Sequence, residues 1–132
     1  LPERLPPSIK VAAHLPFDRL LPRVAALVHH GGIGTTAAAL AAGVPQLIAP
    51  FAFDQFDNAA RIVRLGVGQR CATLHPEHWR AELAPLLHPA PALTAALRRS
   101  QQRMTDAPDA SALIADQIEA LARARFPISS TR

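Results

Sequence analysis

Short, continuous apolar runs alternate with stretches of helical periodicity along the chain, which is 132 residues long. Continuous apolar runs are typical of strands that are covered on both faces. The runs predict strands over residues 9–13, 25–29, 46–49 and 67–73. The stretches between them predict helices over residues 17–22, 34–42, 56–65, 76–87, 91–104 and 109–125. Gly43 and Gly66 directly follow two of these stretches, and glycine at that position typically ends a helix.

The alternation of strands and helices predicts the fold class. Each helix carries the chain back to the start of the next strand, so the strands pair in parallel. We therefore predict an α/β fold, a Rossmann-like parallel sheet with helices on both faces. A sheet of only four strands is thin, so we expect further strands upstream of Leu1. On the helix over residues 56–65, we expect three apolar side chains to face the core: Ile62, Val63 and Leu65.

Composition narrows the class of protein. Hydrophobic residues make up 49% of the chain, which predicts a folded core rather than disorder. The single cysteine, Cys71, excludes an internal disulfide and fits a reducing compartment. No apolar run approaches the ~20 residues of a membrane span, and the first residues lack the features of a signal peptide. We expect a cytoplasmic location, with association to the inner membrane left open.

The net charge of +4 does not predict a nucleic-acid partner, because the arginines are scattered. Arg98, Arg99 and Arg103 fall on one predicted helix, where a solvated face is the ordinary interpretation. Aromatic residues are 5% of the chain, too few to form a platform on which single-stranded bases stack.

The segment from His30 to Thr36 connects a predicted strand to a predicted helix through a glycine-rich turn. Gly31, Gly32 and Gly34 permit a positive φ and a close approach of a ligand to the backbone. The free N–H groups and the positive dipole end of the helix then favour an anion, typically a phosphate. Alternatively, the segment is a tight turn with a threonine cap and no ligand.

The two adjacent histidines have different predicted roles. Because side chains alternate along a strand, His29 and His30 point to opposite faces. His30 lies at the turn and is the candidate that faces a ligand, with a side chain that gains charge near neutral pH. His29 is expected to pack or to make an ordinary hydrogen bond.

A second polar motif, Asp54 and Gln55, follows the next predicted strand. A carboxylate beside an amide binds the neighbouring hydroxyls of a sugar. The alternative is that Asp54 caps the following helix, a position for which Asp57 competes. In doubly wound sheets ligands bind beyond the carboxyl ends of the strands, so both motifs are expected at one edge of the sheet.

Three segments together carry a resemblance to a known family. They are His-Gly-Gly-Ile-Gly-Thr-Thr at residues 30–36, Ala-Gly-Val-Pro-Gln at 42–46 and Pro-Phe-Ala-Phe-Asp-Gln-Phe-Asp-Asn-Ala at 50–59. In this order and spacing they resemble the C-terminal donor-binding domain of family 1, UDP-glycosyltransferase-like enzymes of the GT-B fold. The residues of these motifs most resemble those of bacterial rhamnosyltransferases of rhamnolipid synthesis. The resemblance is dense over residues 9–68 and thin afterwards.

The resemblance implies a division of the chain and of the site. Residues 1–108 would form an N-terminally truncated nucleotide-sugar binding domain, and residues 109–132 a C-terminal helix and tail. His30 would bind the donor diphosphate and stabilise the departing nucleotide. Asp54 and Gln55 would hold hydroxyls of the transferred sugar. Gly32, Gly34 and Thr35 would supply further hydrogen-bond donors to the diphosphate that His30 binds.

The resemblance also bears on the nucleotide. His14 and Leu15 fall where UDP-using relatives have a Trp-x-Pro-Gln segment that holds uracil. Only Pro16 agrees with that segment, because His14 replaces the stacking Trp and Phe17 replaces the Gln. These departures imply an altered base pocket, in which the Leu15 backbone contacts the base. The donor is therefore expected to be a dTDP- or UDP-sugar.

The implied reaction is the inverting transfer of a hexose to an acceptor hydroxyl, without a metal or other cofactor. The sequence shows no His, Cys or Asp cluster with metal-binding spacing. The general base and the pocket for a small-molecule or lipid acceptor would belong to an N-terminal domain that this chain lacks. We therefore expect the chain to bind donor without turning it over. The last helix would cross to that domain or pack on this one through four apolar side chains: Leu113, Ile114, Ile118 and Leu121.

Two other functions remain open from the sequence. Residues 32–37 also satisfy the dinucleotide-binding pattern G-x-G-x-x-G/A, and Asp54 stands near the spacing of a ribose-binding acid. An NAD-binding domain leaves His30 and Gln55 without a role, however. The other possibility is a non-catalytic remnant or accessory module that only binds a nucleotide sugar.

Overall fold

The parallel sheet predicted from the sequence is present and has three strands among the residues that the computed structural model describes, 5–108 and 110–125. The strands are β1 (Leu27–His29), β2 (Gln46–Ile48) and β3 (Gly68–Arg70), paired in parallel in the order β1-β2-β3. Leu47 in the central strand lies between Val28 and Gln69. The carboxyl ends of all three strands therefore meet at one edge.

Six α-helices are described, and two of them end as the sequence predicts. Gly43 and Gly66 adopt φ values of 69° and 68° and close their helices with backbone hydrogen bonds. Single 3-10 turns, Leu21–Arg23 and Pro76–His78, adjoin α1 and α4. The helices are α1 (Phe17–Leu20), α2 (Ile33–Ala42), α3 (Gln55–Leu65), α4 (Trp79–Leu87), α5 (Pro91–Asp106) and α6 (Ala110–Arg125).

Helices cover both faces of the sheet, as predicted. Neighbouring residues of β2 point in opposite directions, so Ile48 and Leu47 belong to different core clusters. Ile48 packs with buried residues of α3 and α5, whereas Leu47 packs with Cys71 and with Leu86 of α4. Burial raises the pKa of the Cys71 thiol to about 11, with a smaller contribution from Glu82. Cys71 is therefore an inert core residue.

The strand predicted over residues 9–13 is wrong. Ile9 and Val11 are 49% and 64% exposed, and no strand is formed there. A strand needs a neighbour that completes its hydrogen bonds, and no described strand pairs with this segment. The outer edge of β1 likewise has no paired strand within the described ranges.

The inward orientation predicted for two residues of α3 is also wrong. Ile62 is buried, but Val63 and Leu65 are 49% and 41% exposed. Among the described residues β3 is the edge strand, and none of them covers this side of α3. Val63 lines an open depression there with Arg70. The sequence pattern cannot show that the sheet ends at β3.

The C-terminal helix has no buried residue in the described part. Its predicted apolar positions are 49–71% exposed, so the alternative in which they pack on this domain is wrong. Residues 109 and 126–132 of the predicted C-terminal helix and tail lie outside the described residues. Within the described ranges, no helix is long and apolar enough to span a membrane.

Candidate functional site

The turn between β1 and α2 needs glycine at its centre. Gly31 is buried with a φ of 95°, and a Cβ there would lie 2.7 Å from Cγ2 of Ile48. Gly32 occupies the N-cap position of α2, and no side chain caps the helix. The first intrahelical hydrogen bond runs from the Thr36 N–H to the Gly32 carbonyl, 3.0 Å. The three preceding N–H groups of α2 therefore remain available to an anion.

The two threonines at the start of α2 are used differently. Thr36 is buried, and its hydroxyl donates to the Gly32 carbonyl at 2.9 Å. The Thr35 hydroxyl makes no hydrogen bond to any other described residue. Beside them, a Cβ on Gly34 would meet no atom within 4 Å. The threonine cap of the alternative interpretation is therefore wrong, and the helix start is open beside Gly34.

His29 is part of the scaffold, which confirms its predicted role. Its Nδ1 accepts the Gly31 N–H at 3.1 Å, so the ring proton lies on Nε2 and is donated to Oε1 of Gln46 at 2.9 Å. Gln46 is fully buried and also donates to the Thr36 carbonyl at 3.4 Å. Burial lowers the pKa of His29 below 6.5, opposed by the Gln46 hydrogen bond and assisted by the charge of His30.

We expect this half-buried histidine to make stability depend on pH. Because the pKa of His29 is lower in the folded state, its contribution is complete above pH 6.5 and is lost as pH falls through that lower value. The midpoint of thermal unfolding should drop by roughly a few degrees between pH ~7.5 and pH ~5. In His29→Asn the drop should be smaller, and an equal drop in both proteins would contradict this role.

His30 lies over the glycine turn. Its side chain is exposed, and its ring centroid is 6.0 Å from that of Phe51 in the loop after β2. The Nε2 atom of His30 lies 2.7 Å from the position that a Cβ on Gly32 would occupy. Glycine at position 32 therefore leaves room for the imidazole directly above the helix start.

The second motif is built into the same region. Asp54 occupies the N-cap position of α3 but makes no capping hydrogen bond, and Asp57 pairs instead with Arg61 at 2.8 Å. The interpretation of either aspartate as a helix cap is therefore wrong. The Oδ2 atom of Asp54 accepts a hydrogen bond from Nδ2 of Asn58 at 2.9 Å. The carbonyl of Gln55 lies 3.2 Å from the Cβ position of Gly31, so the two motifs are in contact.

The Gln55 amide has a fixed orientation. Its Oε1 accepts the N–H groups of Phe51 and Ala52 at 3.0 and 3.1 Å. The acceptor of this side chain is thus used by the loop. Its Nε2 has no hydrogen-bond partner within the described part of the chain and remains a donor.

The predicted base-binding residues share a depression of their own. His14 and Leu15 line a shallow depression of about 450 Å³ with Ala12, Ala13 and Phe17. Among the described residues, no hydrogen bond links His14 or Leu15 to the glycine turn. The described contacts bring together His30, the turn, Asp54 and Gln55, and the roles of His14 and Leu15 stay predictions.

One residue of the site was missed by the sequence analysis. Asn58 is 5% exposed and donates from Nδ2 both to the Gly31 carbonyl and to Asp54, each at 2.9 Å. Only its position one turn after Asp54 could have indicated this, since residues four apart face each other on a helix. The described residues hold no group of three or more His, Cys, Asp or Glu side chains that could bind a metal.

The position of Asp54 does not suit a dinucleotide-binding domain. A ribose-binding carboxylate follows its strand directly, whereas Asp54 lies in the cap of α3, well past the end of β2 at Ile48.

The fold matches the C-terminal domain of GT-B glycosyltransferases. A family model described as "Erythromycin biosynthesis protein CIII-like, C-terminal domain" matches residues 2–121, and the chain belongs to this family of glycosyltransferase domains. It is 35% identical over 127 residues to aklavinone 7-beta-L-rhodosaminyltransferase of Streptomyces galilaeus, covering 93% of this chain and 28% of the relative. It is 43% identical over 98 residues to a sterol 3-beta-glucosyltransferase of Candida albicans, covering 74% of this chain and 6% of the relative.

Solved structures agree with this assignment. The crystal structure of the glycosyltransferase VinC in complex with dTDP matches with a TM-score of 0.79 and 31% identity. The match covers 92% of this chain and 31% of VinC. The chain thus spans about a third or less of these relatives. Similarity to rhamnolipid rhamnosyltransferases stays a prediction.

Proposed function

We propose that this chain is the donor-binding part of a glycosyltransferase that moves a hexose from a dTDP- or UDP-sugar to an acceptor hydroxyl. The observation that carries the proposal is the contact between its two polar motifs. His30 lies next to Phe51 in the loop before Asp54, and the glycine turn lies next to Gln55 at the start of α3. A ligand with an anionic part and a hydroxylated part can use both motifs at once.

The diphosphate would lie at the start of α2. The unpaired N–H groups there and the Thr35 hydroxyl supply donors, and the open space beside Gly34 admits a phosphate to the backbone. His30 adds a side-chain donor above Gly32. Together they would stabilise the charge that grows on the leaving diphosphate.

The sugar would lie against Asp54 and Gln55. Asp54 keeps its Oδ1 as an acceptor, because Oδ2 is bound by Asn58. Gln55 offers only its Nε2 as a donor, because Oε1 is held by the loop. The site would therefore bind one sugar hydroxyl that donates to Asp54 and one that accepts from Gln55. For the base, we keep His14 and the Leu15 backbone as the proposed contacts.

For the reaction, we propose the inverting transfer that the family resemblance implies. The acceptor hydroxyl gives its proton to the general base, and its oxygen forms a bond to the anomeric carbon. At the same time the bond from that carbon to the diphosphate breaks, so the configuration inverts. The helix dipole and His30 would stabilise the negative charge on the departing diphosphate, and no metal ion is needed for that purpose. We place the reaction in the cytoplasm, with a small-molecule or lipid acceptor.

The rest of the reaction needs a part of the protein that this chain lacks. The general base and the acceptor pocket belong to that part, and the exposed apolar side chains of α6 would pack against it. We therefore expect the 132-residue chain to bind donor and to leave it intact. Glycosyl transfer by this chain alone would contradict the assignment of the base.

Titration calorimetry of the chain tests the proposed ligand class. We expect heat of binding with dTDP-glucose or UDP-glucose and none with NAD at the same concentration. Binding of NAD in preference to both nucleotide sugars would favour a dinucleotide-binding domain instead.

A further inference from the structure

Asn58 connects the two halves of the site through one amide group. Its Nδ2 donates to the Gly31 carbonyl in the turn before α2 and to the Asp54 carboxylate, each at 2.9 Å. An amide nitrogen has two N–H bonds, so it serves both partners at the same time. Both partners are acceptors, and the opposite orientation of the amide would place its oxygen against two oxygens. The chemistry of its neighbours thus fixes the Asn58 side chain.

The hydrogen bond from Asn58 also decides what Asp54 does. A carboxylate at an N-cap position ordinarily accepts the N–H groups of the first helical turn. Asp54 occupies that position in α3 and makes no such bond. Its carboxylate is drawn toward Asn58, which is itself anchored to the buried Gly31 turn. Asp54 itself has a helical backbone, with φ −67° and ψ −9°, so its side chain is not placed to cap α3. Without the Asn58 donor, the carboxylate would be free to rotate away from the Gly31 turn.

We infer that Asn58 is a positioning residue. It keeps Asp54 turned toward the sugar and at a fixed position relative to the Gly31 turn, where the diphosphate would bind. This inference rests on the proposed donor site. Asn58 does not touch the ligand itself, being 5% exposed beneath both motifs. Its contribution to binding should therefore pass through Asp54 and through the Gly31 carbonyl.

The test is a double-mutant cycle between Asn58→Leu and Asp54→Ala in the 132-residue chain. For each protein, calorimetry measures the affinity for dTDP-glucose and for dTDP, or for UDP-glucose and UDP. The ratio of the two affinities gives the gain due to the sugar. We expect Asn58→Leu to reduce this gain about tenfold, because it removes a hydrogen bond to a charged group. In the Asp54→Ala background, Asn58→Leu should not change the ratio of the affinity for the nucleotide sugar to that for the nucleotide.

A purely structural role gives a different result. Asn58→Leu would then lower the affinities for nucleotide and nucleotide sugar equally, and its effect would add to that of Asp54→Ala. The control is Asp57→Ala, one residue away and exposed, which should keep the full gain. Asn58→Asp, similar in size but without a donor, repeats the cycle if Asn58→Leu does not fold. Failure of both variants to fold would assign Asn58 to the fold alone and overturn the inference.

The proposed function can fail separately. If the unmodified chain gains nothing from the sugar, the donor site itself is wrong. If the gain is present, is lost in Asp54→Ala and survives in Asn58→Leu, only the role of Asn58 is wrong.

Discussion

Replacing His30 with alanine should weaken the binding of dTDP and UDP about tenfold or more, with or without an attached sugar. The imidazole Nε2 lies directly over Gly32, beside N–H groups that precede the first intrahelical hydrogen bond of α2. A charged diphosphate bound there accepts a hydrogen bond from His30, and alanine removes this hydrogen bond. Because His30 is exposed and its side chain supports no described hydrogen bond, the fold should be unaffected.

The matched control for this substitution is His88→Ala, an exposed histidine at the end of α4. Its affinity for both nucleotides should equal that of the unmodified chain. Calorimetric titration of the two variants side by side checks the prediction. Unchanged nucleotide affinity in His30→Ala would remove His30 from the diphosphate half of the site.

Replacing Gly34 with alanine should stabilise the chain and yet weaken nucleotide binding about tenfold. A Cβ at Gly34 meets no protein atom within 4 Å, and alanine is favoured over glycine in a helix by up to about 1 kcal/mol. The same methyl group would occupy the space through which a phosphate approaches the start of α2. The two effects therefore have opposite signs, which a general loss of structure cannot produce.

Gly68→Ala is the contrasting variant. A Cβ at Gly68 would overlap the Gln46 carbonyl and lie 2.7 Å from Cγ2 of Ile62. We expect it to destabilise the fold by about 1–3 kcal/mol, in line with other overpacked cores. Thermal unfolding and calorimetry of both glycine variants check the pair. Full nucleotide affinity in Gly34→Ala would place the phosphates elsewhere.

Much of the fold could be predicted from the sequence because its signals are local. The αL glycines at positions 43 and 66 end their helices regardless of what packs around them. The apolar run over residues 9–13 failed as a strand because a strand depends on a neighbour that its own residues do not encode. Val63 failed for a similar reason, since its exposure depends on where the sheet ends.

The candidate site was predictable in its residue types and less so in its contacts. The alternation of a strand separated His29 from His30 correctly, and the hydrogen bonds of His29 confirm this. The cap interpretation of Asp54 failed because its backbone is helical rather than extended, and because Asn58 competes for the carboxylate. That competition depends on the Gly31 carbonyl, 27 positions away from Asn58, which no local pattern shows.

The central claim is that this site binds a nucleotide and its sugar through separate residues. Asp54→Ala tests it most directly, by calorimetry with dTDP-glucose and dTDP, or with UDP-glucose and UDP, against Asp57→Ala as control. We predict that Asp54→Ala lowers the affinity for the nucleotide sugar about tenfold and leaves the affinity for the free nucleotide unchanged. An equal loss for both ligands, or no loss for either, would contradict it.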